Sequence, residues 1–246
     1  MDNALINALL YALLPLGAIM IGGAVGIFFP PGPALRSGIL HFAAGVVFSV
    51  VSVELLPDIV RLHAPLEIVL GFGLGIVAML AVRYLSQKLD AHPPAGGGEA
   101  AEALPLGLLT AMGVDLLVDG FLLGIGFAAG AKEGVLLTLA LTTEVFSLGL
   151  AVAVTLGKSR ATRTKTLLIL GGLGVTFLVG AAIGTALLGG ASGNLLEIIL
   201  SFGLAALLFL VTEELLTEAH EEPESPLLTA SFFGGFLLFL LLGMLA

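Results

Sequence analysis

Long apolar stretches alternate along this chain with short clusters of glycine, proline and charge. Taking those clusters as punctuation predicts eight helices, over 4–29, 37–56, 66–87, 104–129, 134–157, 166–189, 194–218 and 226–246. A bilayer crossing needs about 20 apolar residues, and each stretch is long enough. The longest connection, 88–103, contains His92-Pro93-Pro94 and Gly96-Gly97-Gly98 and reads as a flexible loop on the cytoplasmic side. The start, Met1-Asp2-Asn3-Ala4, lacks the basic region of a signal peptide, so the first apolar run is read as a retained span. The expected fold is all-α: a polytopic membrane protein with eight transmembrane helices in a single domain spanning 1–246.

Composition agrees, with 58% hydrophobic and only 11% charged residues, too little polar material to coat a globule. Zero cysteines exclude disulfides and thiolate ligands, and a net charge of −9 argues against a nucleic-acid partner. Orientation follows from the bias of Lys and Arg toward short cytoplasmic loops. With both termini outside, Arg36, Arg83, Lys88, Lys158, Arg160, Arg163 and Lys165 fall inside and only Arg61 and Lys132 outside, seven against two.

An internal repeat adds to this. Residues 42–58 (FAAGVVFSVVSVELLPD) align at an offset of 160 with 202–218 (FGLAALLFLVTEELLTE), sharing Phe42/Phe202, Val51/Val211, Glu54/Glu214, Leu55/Leu215 and Leu56/Leu216. The second and seventh spans run in opposite directions, so spans one to three and six to eight form an inverted repeat around four and five. This 3+2+3 arrangement is that of transporters, with a site expected near the midplane. Thirty-four glycines fit close helix packing in lipid, for example the small residues Gly120, Gly124 and Ala128 at four-residue spacing.

Three acids then demand explanation. Asp115, Asp119 and Glu144 lie near the middles of the fourth and fifth spans, which hold no central base. One carboxylate at a membrane helix centre costs roughly 2.5–3.5 kcal/mol, so three cost about 8–10 kcal/mol unless a cation, protons or a wet cavity compensates. Asp115 and Asp119, four residues apart, share a helix face and are expected to converge on one point. Thr143 and Ser147 share a face of the fifth span, with Glu144 three residues before Ser147. The result is an oxygen-only ligand set suited to Mg²⁺, Ca²⁺ or Mn²⁺. The bland alternative is protonated acids bonded to backbone carbonyls or hydroxyls. Thr142 and Thr143 rank below Ser147, because membrane threonines commonly bond their own i−4 carbonyl. Toward the membrane faces lie Glu54 and Asp58 on the second span and Glu213, Glu214 and Glu218 on the seventh. Glu54 and Glu214 read equally as entrance and exit ligands or as solvated helix ends. His41 reads as a packing histidine, and the run from Glu218 through His220 to Glu222 as an acidic loop.

With these residues in place the chain resembles the ZIP family of divalent-metal transporters over nearly its whole length. That family has eight spans, termini outside, a variable loop after the third, and motifs like H-N-x-x-D/E-G and H-E-x-P-x-G on the fourth and fifth. Val118-Asp119-Gly120 and the stretch Gly124 to Gly130 look like the end of the first motif. The resemblance gives Asp119 the bridging carboxylate role, puts Asp115 in the place of the histidine and Leu116 in that of the asparagine. Thr143-Glu144-Val145-Phe146-Ser147 falls where the second motif would be, with Glu144 kept. Glu54-Leu55-Leu56-Pro57 and Glu214-Leu215-Leu216 resemble the family's second and seventh spans, where a glutamate of the seventh joins the site. Both histidines and the proline are absent, which implies a divergent member with at most one well-formed site.

The expectation is therefore a transporter, not an enzyme, moving a divalent cation (Mn, Zn or Fe type) toward the cytoplasm, with spans one, four, five and six moving against two, three, seven and eight. The metal is the transported substrate, no organic cofactor is implied, and the partners are the metal ion and the lipid bilayer, with a homodimer left open. The candidate ligands are Asp115, Asp119, Glu144, Ser147, Glu214, Glu213, Thr143 and Glu54. Two rivals stand beside it. A proton-coupled carrier of an organic substrate would need a roomy pocket with aromatic or basic side chains. An intramembrane aspartyl protease would need two acids on separate helices, whereas Asp115 and Asp119 share one.

Overall fold

A computed structural model describes residues 2–90, 106–159, 161–188, 193–223 and 225–245, and among them there is helix and no strand. The loop expected at 88–103 lies mostly outside the described residues, as does Arg160. Eight helices are long and apolar enough to cross a membrane. They are α1 (Asp2–Phe28), α2 (Pro33–Val50, continued through Val51–Leu55 and Leu56–Leu62), α3 (Pro65–Asp90) and α4 (Leu106–Ala129), then α5 (Ala131–Lys158), α6 (Arg163–Leu188), α7 (Asn194–Phe209, continued through Leu210–Leu215 and Leu216–Ala219) and α8 (Pro226–Leu245). This is the character of an integral multi-pass membrane protein.

Prolines explain where several helices begin. Pro33, Pro65 and Pro226 each open one, at a position where a missing N–H costs nothing and the fixed φ suits the helix. The second helix starts four residues before the expected Ser37 for this reason. It also continues past Leu56, where Pro57 reads as a stop. The turn Val51–Leu55 is a π-helix, in which the Leu56 N–H bonds the Val51 carbonyl, and Pro57 then occupies the first turn of the resumed α-helix, which tolerates it. A second π-helical turn, Leu210–Leu215, interrupts α7. It covers the residues that align with the first at the offset of 160, and each turn carries a glutamate of the repeat, Glu54 or Glu214.

The helices pack as two groups. In one, α1 lies on α5 and α6, and α4 lies on α6 and α5; in the other, α2 lies on α8 and α3 on α7. The groups meet where α2 packs on α5 and α3 on α4. Buried residues make up 67% of the apolar window of α5 against 17% for α3 and α8, so α5 is central and those two are peripheral. The periphery is covered by exposed Leu66, Val69, Val77, Phe233 and Leu237, the side chains that a lipid-facing surface requires. At the α4–α6 contact a Cβ on Gly120 would overlap the Phe177 carbonyl, and one on Gly124 would come within 2.6 Å of the Ala181 carbonyl oxygen. These two positions let the backbones touch, which fixes α4 on α6 and turns its acidic face toward α5 and α7.

Candidate functional site

The acidic residues sit inside the bundle, away from its lipid-facing surface. Asp119 is 1% exposed, Glu144 3% and Ser147 2%, while Asp115 and Glu214 are half-buried. Helical spacing places Asp115 and Asp119 one turn apart on α4, α5 brings in Glu144, and the π turn of α7 brings in Glu214. Asp115 and Glu214 are close neighbours across α4 and α7, each within electrostatic reach of the other. Glu144 is within electrostatic reach of both, and Asp119 of all three. Asp119 Oδ2 and Glu144 Oε2 are buried without a hydrogen-bond partner. A buried acceptor with no partner keeps its full desolvation cost, so these two oxygens are primed for a proton or a cation.

A cavity of about 270 Å³ reaches this cluster from the ends of the helices that carry Arg83 and Gln87. Asp115, Glu144, Glu214 and Glu218 give it an acidic lining, against apolar walls from Met112 and Leu148. Asp119 and Ser147 are not part of that lining and lie deeper. The acids therefore follow one another from the cavity into the bundle.

Several expectations change against this geometry. Asp115, Asp119 and Glu144 do not close on a single point: among the described residues no three His, Asp or Glu side chains are grouped to hold one metal ion. The cause is that the acids come from three helices, and Asp115 neighbours Glu214 of α7. Thr143 donates its hydroxyl to the Leu139 carbonyl at 3.1 Å, and Thr142 does the same to Thr138 at 2.5 Å, which agrees with their lower rank. Glu213 faces away from the buried acids and pairs with Arg83 at 2.5 Å. Glu54 is 3.3 Å from Lys132, in a cleft with no room for water, on the far side of the bundle from the cavity. Neither glutamate is a free ligand in this conformation. Glu218 pairs with Arg36 and Asp58 with Arg61, the latter at 3.6 Å. His41 is buried, donates from Nδ1 to the Ser37 carbonyl at 2.9 Å, and meets the His220 ring edge-on, the packing role expected of it.

Sequence reading missed the bases. Arg83 lines the acidic cavity, yet it is on α3, a helix with no acid at that depth. Only the side-by-side packing of α3 and α7 brings it to Glu213 and Glu214; equal distance from the same membrane face was the available signal. No family model and no curated protein matches the chain.

Proposed function

We propose that this protein is a transporter that carries a divalent metal cation across the membrane through the buried carboxylates of α4, α5 and α7, and that it is a divergent relative of the ZIP family. The observation that carries the reading is the pair of unpartnered oxygens, Glu144 Oε2 on the wall of an acid-lined cavity and Asp119 Oδ2 beyond it. Hard carboxylate oxygens suit Mn²⁺, and also accept Zn²⁺ and Fe²⁺. The cation meets Asp115, Glu144 and Glu214 in the cavity and then Asp119 and Ser147. Neighbouring buried carboxyls hold protons that an arriving cation displaces, so protons and cargo compete.

The 3+2+3 inverted repeat belongs to the same proposal. Exchanging α1 with α6, α2 with α7, α3 with α8 and α4 with α5 turns the α1–α5 contact into α4–α6 and the α2–α8 contact into α3–α7, all of which are present. The matched π turns support it further. On this reading the block of α1, α4, α5 and α6 moves against α2, α3, α7 and α8, and the cavity face, rich in Lys and Arg, is cytoplasmic.

The test is uptake of Mn²⁺, Zn²⁺, Fe²⁺ and Cd²⁺ into liposomes by the wild type and by Asp119→Ala, Asp115→Asn and Glu144→Gln. Loss of flux in the variants is expected; unchanged flux in all three removes the proposal. Arg83 in a cavity with apolar walls favours a second reading, a proton-coupled carrier of an organic substrate. In that case Arg83→Gln abolishes organic-substrate uptake and no metal flux is seen. Asp115 and Glu214 are also two neighbouring acids on separate helices, so peptide cleavage lost in Glu214→Gln would shift the reading to a protease.

A further inference from the structure

A second cavity, of about 420 Å³, opens between the ends of α1, α5 and α6 at the same face as the acidic one. Its character is opposite. Among the described residues Lys158 and Arg163 line it and no carboxylate does, and apart from Thr166 the rest of its wall is small or apolar, including Gly26, Ile27, Pro30 and Ala161. These cations differ from four other bases of the bundle. Arg36, Arg61, Arg83 and Lys132 each pair with a carboxylate, whereas Lys158 and Arg163 have no acidic partner within ion-pair distance among the described residues. Lys158 also borders a neighbouring cavity that contains Glu218, Glu221 and Glu222, without pairing with any of them.

Its position points to the ligand. The Arg163 guanidinium lies over the Phe28 ring, 4.9 Å from its centroid, which holds the cation at the rim. Phe28 and Phe29 at the end of α1 and Leu168 on α6 are 54%, 78% and 72% exposed, large apolar side chains of the kind that meet lipid near a helix end. A concave site with two uncompensated cations above and exposed apolar surface below matches the two halves of a phospholipid, a charged head and acyl chains. Basic pockets between membrane helices take anionic headgroups in this way.

We infer that the Lys158–Arg163 cavity binds the headgroup of an anionic phospholipid, the phosphate accepting from both cations while the acyl chains lie along α1 and α6. The site is separate from the acidic cavity and does not depend on the cargo that the protein carries.

The experiment is native mass spectrometry of the purified full chain, titrated with phosphatidylglycerol, with phosphatidylcholine, and with inorganic phosphate as a lipid-free competitor. The wild type is expected to retain phosphatidylglycerol in preference to phosphatidylcholine. Lys158→Gln with Arg163→Gln should weaken that retention roughly 30-fold, from two charges near the surface. Lys158→Arg keeps the charge and should retain the lipid, and the lipid-free melting temperature of each variant reports whether it folds. Equal retention of both lipids by the wild type, or undiminished retention by the double variant, overturns the inference. Displacement of the lipid by millimolar inorganic phosphate also overturns it, assigning the cavity to a free anion.

Discussion

Asp119 is buried with one oxygen that has no hydrogen-bond partner, a burden on the fold that a proton or a cation relieves. Replacing it by asparagine should therefore separate function from stability. In cargo-free detergent, Asp119→Asn is expected to melt no lower than the wild type, because the amide carries no charge to be desolvated, while its uptake is lost. A melt well below the wild type would mean that the carboxylate has a structural partner. Competition between protons and cargo gives a second expectation. Bound cation requires deprotonated carboxylates, so initial uptake rates measured across a pH series should fall as the medium is acidified, and raising the cation concentration should restore them. The acids themselves were legible in one dimension, because a charge inside an apolar run is visible without a fold. Their arrangement was not. Helical spacing relates Asp115 to Asp119 but says nothing of Glu214 reaching Asp115 from another helix, nor of Arg83 taking Glu213 away.

At the level of helices, Lys132 and Glu54 form a contact between the two groups, since Lys132 begins α5 and Glu54 lies on α2. It closes the side of the bundle opposite the acidic cavity. The chain contains no cysteine, so a single Ser49→Cys substitution beside Glu54 gives a labelling site without background. Adding Lys132→Gln should speed its reaction with a thiol reagent, by no more than about fivefold given the worth of a partly exposed ion pair. An unchanged rate would show that the closure rests on packing alone. The α4–α6 contact predicts a larger effect: Gly120→Ala forces the Phe177 backbone away and should cost about 1–3 kcal/mol in thermal unfolding. Helix existence followed from the apolar runs. The extents of α2 differed because proline was read as punctuation, when Pro33 starts the helix and the π turn makes room for Pro57. A π turn has no sequence signature of its own; the two turns fall on stretches that align at the offset of 160.

For the whole molecule, the described residues form two packed groups with an acidic cavity at one end, and the proposed transport predicts access to it from a single side. A cysteine at Gln87, on the wall of that cavity, should react with membrane-impermeant reagent from that side only, and cargo in the medium should slow the reaction. Reaction from both sides would rule out one-sided access. The number of spans and their all-helical class were legible from composition and periodicity alone. Which helices touch was not, because nearly uniform apolar faces carry no address; glycine placement, which decides how closely two backbones approach, becomes informative only once the partners are known.

The vestibule that ends at Asp115 and Glu214 has a size that bears on selectivity. At roughly 30 Å³ per water molecule, 270 Å³ accommodates about nine, enough for an ion to arrive with its hydration shell complete. Asp119 lies outside that lining and is almost fully buried. Stripping of water would thus happen between the outer and inner acids, over the length of a single helical turn, and ions that surrender their shell slowly, as Mg²⁺ does, would be turned back there even though the doorway had admitted them.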